Sequence, residues 1–258
     1  MSQSILPPIA PANPPLGEQI EDLAIRYRNA RGVGLKVLGA LGSQADGLLE
    51  KLPEGARDGL DSATMKALEF SFEAAAMSRG KVPDTGQWMT RALTMGTGAA
   101  GGFGGLPSAL AELPVTTTVI LRAIQGIAVD HGFDPSDGDT RLECLQVFAS
   151  AGPLAEDDST DVSFLTLRAS VTGVTVHALI KSISPKLAVV LGQKLAAQMV
   201  PVLGAVTGAA INYSFTSYYQ EMAHVNFGLR RLAEETGTDR AALVEAFRRE
   251  VSRDISIR

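Results

Sequence analysis

The chain has 258 residues, 45% hydrophobic and 20% charged, with 26 Gly, 13 Pro and a formal net charge of -5. This describes one large or two small folded domains and excludes a disordered or fibrous polymer. An acidic balance, with a pI near 5.3, also excludes a generic nucleic-acid surface, which needs a concentrated basic face. The single cysteine, Cys144, has no partner for an internal disulfide, so a stapled secreted scaffold is ruled out and a reducing, cytoplasmic setting is expected.

Met1–Pro15 holds five prolines and no charge, which predicts a flexible arm rather than an export signal. From residue 16 to 258 the apolar spacing follows the helical period, so one all-α domain is expected, a multi-helix bundle with a weak internal boundary at the acidic loop 152–161. Ile20, Leu23 and Tyr27 line a first helix, and Leu35, Leu38, Leu41, Leu48 and Leu52 a second that ends at Pro53. Asp61 or Ser62 caps a third, with Met65, Leu68, Phe72 and Ala76 inward. Asp84 opens a fourth that carries Trp88, Leu93 and Met95 into a glycine-rich run. Pro114 suits the first turn of the next helix, in which Ile120, Ile124, Ile127 and His131 share a face up to Gly132. A helix from about Asp139 buries Leu142, Leu145 and Ala149. Beyond the acidic loop, two apolar stripes over 164–183 predict a helix that is central or meets lipid. Ile211, Phe215, Tyr218, Met222, Val225, Leu229 and Leu232 then mark a long amphipathic helix stopped by Gly237. A last helix docks through Leu243, Phe247 and Val251.

Two runs carry no charge at all, 92–111 and 195–220. Both are long enough for a membrane, yet the first is rich in glycine and the second is broken by Pro201 and polar residues, and no 18 consecutive apolar residues occur. They are expected to form a glycine-rich helical hairpin and closely packed helices, through small-xxx-small pairs such as Gly98 with Gly102 and Gly204 with Gly208. Phe103, Leu106, Phe215, Tyr218 and Met222 are the candidate contacts with a membrane or partner.

The chemical motifs are weak. Gly96, Gly98 and Gly101 spell GxGxxG, but a helix precedes them and no acid follows at the required distance, so no dinucleotide site is expected. Phosphate loop, HExxH and GxSxG are absent from the sequence, and His131, His177 and His224 lack metal-ligand spacing. Glu221 and His224 make half of a di-iron carboxylate motif, more ordinarily an exposed helix face. No cofactor or metal is expected. The polar residues that stand out are Glu112, Thr117, Thr118 and Arg122, with Asn212 and Gln220 on the long helix. They admit two readings: an internal ion pair, with Glu112 the partner of Arg122 and hydroxyls bonding back to the helix, or a ligand site.

The segments ELPVTTTVILRAIQGIA at 112–128, TRLECLQVFA at 140–149 and KLAAQMVPVLGAVTGAAINYSFTSYYQEMAHVNFGLRRL at 194–232 together resemble the EcsC family of bacterial proteins, over about Gly80–Gly237. The family is named for a protein encoded beside an ABC transporter and has no assigned catalytic residues to carry over. The resemblance implies an accessory or regulatory protein, peripheral on the inner membrane or on a membrane transporter. It directs attention to Glu112, Pro114, Thr117, Arg122, Asn212 and Gln220. Two rivals stay open: a soluble hydrolase acting around Glu112, Thr117 and Arg122, and a soluble helical module that binds a partner through Phe215, Tyr218 and Met222.

Overall fold

The computed structural model describes residues 14–41, 50, 54, 59–78, 86–103, 105–150, 165, 176–198 and 204–253. The proline-rich arm before Pro14 and the loop 152–161 fall outside these residues. Among those described there are eight helices and no strand: α1 Leu16–Leu41, α2 Leu60–Ser78, α3 Gln87–Phe103, α4 Gly105–Asp130, α5 Gly138–Phe148, α6 Val176–Gln198, α7 Gly204–Thr236 and α8 Arg240–Arg253. The all-α bundle expected from the apolar period is therefore the fold.

α7 is its axis. At 33 residues it is about 50 Å long, and it packs against α1, α3, α4, α5, α6 and α8, most extensively against α3. Ile211, Phe215, Tyr218, Met222, Val225, Leu229 and Leu232 are all buried, as the alternating spacing predicts. The opposite side of the helix is buried too, through Asn212, Ser214, Thr216, Gln220 and Asn226. The middle of the helix is thus largely enclosed, and the Phe215, Tyr218 and Met222 face that a docking module would need exposed is core.

Local signals set most boundaries. Asp137 accepts from the Thr140 backbone at the start of α5, and Asp239 accepts from the Ala241 backbone at the start of α8. Gly132 and Gly237 adopt φ of 91° and 65° where α4 and α7 stop, a conformation only glycine enters freely. Two expectations need correction. α1 runs unbroken to Leu41, so the first two expected helices overlap in one. Pro114 lies inside α4, not in its first turn. Its missing N–H removes one bond of the helical ladder, and its carbonyl accepts from Ser71 at 3.0 Å and Thr118 at 2.7 Å. Trp88, Leu93 and Met95, the apolar content of α3, are turned to solvent.

Close approach of α3 and α7 depends on glycine. A Cβ built on Gly98 falls 2.3 Å from the Gly208 carbonyl oxygen and 2.7 Å from Asn212 Cγ. This is the small-residue packing expected of both runs, realised between them. Gly98→Ala is expected to destabilise the protein by about 1–3 kcal/mol, because backbone has to move. Gly96→Ala, with nothing within 4 Å, is expected to stabilise it by about 0.4–1 kcal/mol through helix propensity. Urea unfolding midpoints of the two variants check the contrast.

Candidate functional site

Where α3, α4, α6 and α7 meet, the interior is polar. Glu112 on α4 and Lys194 on α6 form an ion pair at 3.0 Å, and both are buried. Glu112 also accepts from Asn212 Nδ2 at 2.8 Å and from the Thr116 hydroxyl one turn along α4. The other Asn212 amide proton goes to the Thr94 carbonyl at 2.8 Å. Around this core the Thr97 and Thr116 hydroxyls face each other at 3.3 Å, and Thr216 donates to Thr94 at 2.8 Å. Asn212 Oδ1 has no hydrogen-bond partner among the described residues. Burial pulls the Lys194 ammonium below its ordinary range, while the adjacent Glu112 carboxylate pulls it back up.

The structure sorts the sequence candidates. Glu112 and Asn212 belong to this centre; Thr117 is buried beside it on α4, and Thr118 bonds back to the Pro114 carbonyl. Arg122 does not meet Glu112, since ten residues of one helix separate them by about 15 Å. The partner of Glu112 is Lys194, which the sequence reading passed over. A signal existed: Glu112 and Lys194 are the charges that close the two uncharged runs. The side chains of Phe103 and Leu106 lie outside the described residues. Of the residues weighed for a hydrolytic site, Glu112 is an enclosed carboxylate held by an ammonium, an amide and a hydroxyl, Thr117 is buried on the same helix, and Arg122 stands further along it.

A second cluster sits toward the other end of α3. Arg91 donates to Gln220 at 2.6 Å and to Glu221 at 3.1 Å, and Glu221 also accepts from Arg26 on α1 at 2.8 Å. Next to it His224 lies 3.1 Å from His131 and 2.7 Å from Gln87 Nε2. An amide nitrogen only donates, so His224 Nε2 accepts, its proton sits on Nδ1 and is given to His131 Nε2. His131 then keeps its proton on Nδ1, which has no partner among the described residues. Both rings are held neutral. Burial, then Arg26, His131 and Arg91, lower His224 to about 4, and burial followed by Arg231 lowers His131. Glu221 and His224 are therefore part of an interhelical network, not the exposed face their spacing suggested. The two histidines, remote in sequence, are neighbours. No group of three or more His, Cys, Asp or Glu among the described residues converges on one point.

A third network ties α5, α7 and α8: Glu143 accepts from Arg240 at 2.8 Å and pairs with Arg230 at 3.5 Å, and Arg230 lies over the Phe133 ring at 4.0 Å. A cleft of about 260 Å³ opens beside Gln19, Asp22, His131 and Arg231. A second, of about 360 Å³, lies between Gly17, Ile20 and Arg249. Neither is lined by Glu112, Thr117 or Arg122.

The remaining feature is a surface. α3 is inside out: Thr90, Thr94 and Gly98 are buried while Trp88, Met89, Leu93 and Met95 are exposed, Trp88 at 74%. At 100° per residue the outward arc also holds Ala92, Gly96, Ala99 and Ala100, so it contains no charged, hydroxyl or amide side chain. On the neighbouring α7, Val206 is 71% exposed and Tyr213 is partly exposed. Among the described residues one helical segment, Glu112–Asp130 of α4, is long and apolar enough to cross a membrane, and 56% of its window is buried inside the protein, as in a core helix.

Residues 61–232 match the model of the EcsC protein family. No curated protein and no solved structure matches the chain.

Two consequences are measurable. Lys194→Met leaves Glu112 buried without its counter-charge, and Glu112→Leu does the reverse. Each is expected to cost about 3–5 kcal/mol, and the double variant clearly less than the sum, read from chemical denaturation of all four proteins. The histidine pair sets a pH dependence. The unfolded chain takes up a proton near the ordinary pKa of about 6.5, the folded chain only near 4 at His224. Stability is therefore present above that window and lost as pH falls through it. The fall in urea midpoint from pH 6.5 to 4 is expected to be shallower in His224→Gln.

Proposed function

The chain belongs to the EcsC protein family, and from that premise we propose that it is an accessory protein that docks peripherally on the cytoplasmic face of a membrane through the outer side of α3. The observation that carries this reading is the inversion of that helix. A surface helix normally turns its apolar stripe to the core. α3 turns a threonine and glycine stripe to the core and leaves Trp88, Met89, Leu93 and Met95 in water. Leaving such side chains exposed forgoes about 1.5–3 kcal/mol each relative to burial, and an apolar arc of this kind marks a surface that is covered in use.

A bilayer fits that arc better than a protein groove. The arc has no charge, and its one hydrogen-bonding group is the indole N–H of Trp88, the chain's single tryptophan and a residue type enriched at the lipid interface. In the sequence Arg79 and Lys81 precede the helix and supply attraction to anionic headgroups. The family context, a protein encoded beside a membrane transporter, agrees with a role at that surface in support of other proteins.

Flotation with vesicles of phosphatidylcholine and phosphatidylglycerol tests the reading. The protein is expected to float, Leu93→Asp to bind at least tenfold more weakly with unchanged helical circular dichroism, and Phe70→Asp, exposed on α2, to bind as the parent does. A protein that stays with the lipid-free fraction, or that uses the α3 face to self-associate instead, overturns it.

A further inference from the structure

The three helices α3, α4 and α7 run side by side in a fixed register. Thr97 faces Thr116, Gly98 faces Gly208, Thr94 meets Asn212 and Thr216, and Arg91 meets Gln220 and Glu221. Charge is distributed along that register very unevenly. On one side lie Arg91 and Arg26, both bonded to Glu221, with Arg122 six residues past Thr116 as Arg91 is six before Thr97. On the other side α3 has no charged residue from Ala92 to Phe103, and α7 has none from Gly204 to Gln220. α4 has only Glu112 between Gly105 and Leu121. That one charge is cancelled inside the bundle by Lys194.

Among the described side chains the charge-free end resembles a membrane-embedded bundle, with most polar groups paired inward and Leu93, Met95, Val115 and Val206 outward. From Arg91 to Phe103 it is about 18 Å deep, close to the roughly 15 Å of hydrocarbon in one leaflet. An interfacial helix commonly lies flat because its polar face stays in water. Here the polar face is already paired within the protein, and what has to stay in water is the charged cluster at one end.

We infer that this end of the α3–α4–α7 set enters a single leaflet tilted, with Trp88 and the Arg91–Glu221 level at the headgroups and the Val206 end of α7 in the acyl chains. The inference rests on the membrane reading above and adds orientation and depth to it. The occupant is one leaflet of lipid, and the level of the charged cluster is the stop.

Because Trp88 is the sole tryptophan, it reports its own depth. Fluorescence quenching by phosphatidylcholines brominated at shallow or deep acyl positions, mixed with phosphatidylglycerol, is measured for the parent protein. The same is done for the double variant Trp88→Phe with Val206→Trp, which moves the only indole to the other end. Both sites are exposed, so folding is expected to survive, with circular dichroism as control. Trp88 is expected to respond most to shallow bromines and the indole at position 206 most to deep ones, the two depths differing by roughly 10 Å or more out of the 18 Å available along the helix. Equal depths in vesicles that carry the protein overturn the tilted insertion and leave a flat α3 contact. No flotation overturns the membrane reading itself.

Discussion

The Glu112–Lys194 pair, with Asn212 between them and α3, is the constraint that the rest of the bundle accommodates. Taking two charges out of water costs several kcal/mol per ion, and the attraction offsets it only if remaining donors and acceptors are satisfied. Asn212, Thr116, Thr97, Thr94 and Thr216 supply most of those partners from three helices at once, with Asn212 Oδ1 the acceptor left over among the described residues. Such a centre adds little net stability compared with apolar packing. It does fix which faces of α3, α4, α6 and α7 point at one another, since any rotation strands a charge.

The inversion of α3 follows from that centre. α7 presents Gly208, Asn212, Thr216 and Gln220 along one stripe, and α3 answers with Gln87, Arg91, Thr94 and Gly98. Turning Leu93 and Met95 inward instead would recover roughly 1.5–3 kcal/mol per side chain. It would also take the α3 partners away from the Asn212 and Gln220 amides and the Thr216 hydroxyl, at about 1–3 kcal/mol for each buried group left unpaired, and would leave Glu221 with Arg26 alone. Hydrogen bonding therefore wins over hydrophobic burial at this one helix, and an apolar surface is left over for use elsewhere. Packing of α3 on α7 and the exposed face are two sides of one choice.

The histidine network lies at the far end of the same contact. Burial, and after it three nearby arginines, disfavours the charged form of His224 and His131, and their chain of donors and acceptors works only while both rings are neutral. This end joins α1, α3, α4 and α7 through side chains that prefer neutral pH. The other end joins α3, α4 and α7 with no net charge. The α3–α4–α7 set is thus charged toward one end only, and the proposed membrane contact uses that asymmetry.

Sequence alone determined the helical class, the buried stripe of α7 from Ile211 to Leu232, the glycine stops at 132 and 237, and the family resemblance carried by 112–128, 140–149 and 194–232. These are local or periodic properties, written within a few turns of chain. It also singled out Glu112, Asn212 and Gln220 as polar residues in apolar surroundings. What it did not decide was who meets whom. Lys194 is 82 residues from Glu112, His224 is 93 from His131, and no short-range spacing encodes either pairing. The outward turn of Trp88, Leu93 and Met95 was hidden for a related reason. Periodicity gives the two faces of a helix, but which face is buried depends on what its neighbour needs to have satisfied, and only the tertiary structure supplies the neighbour.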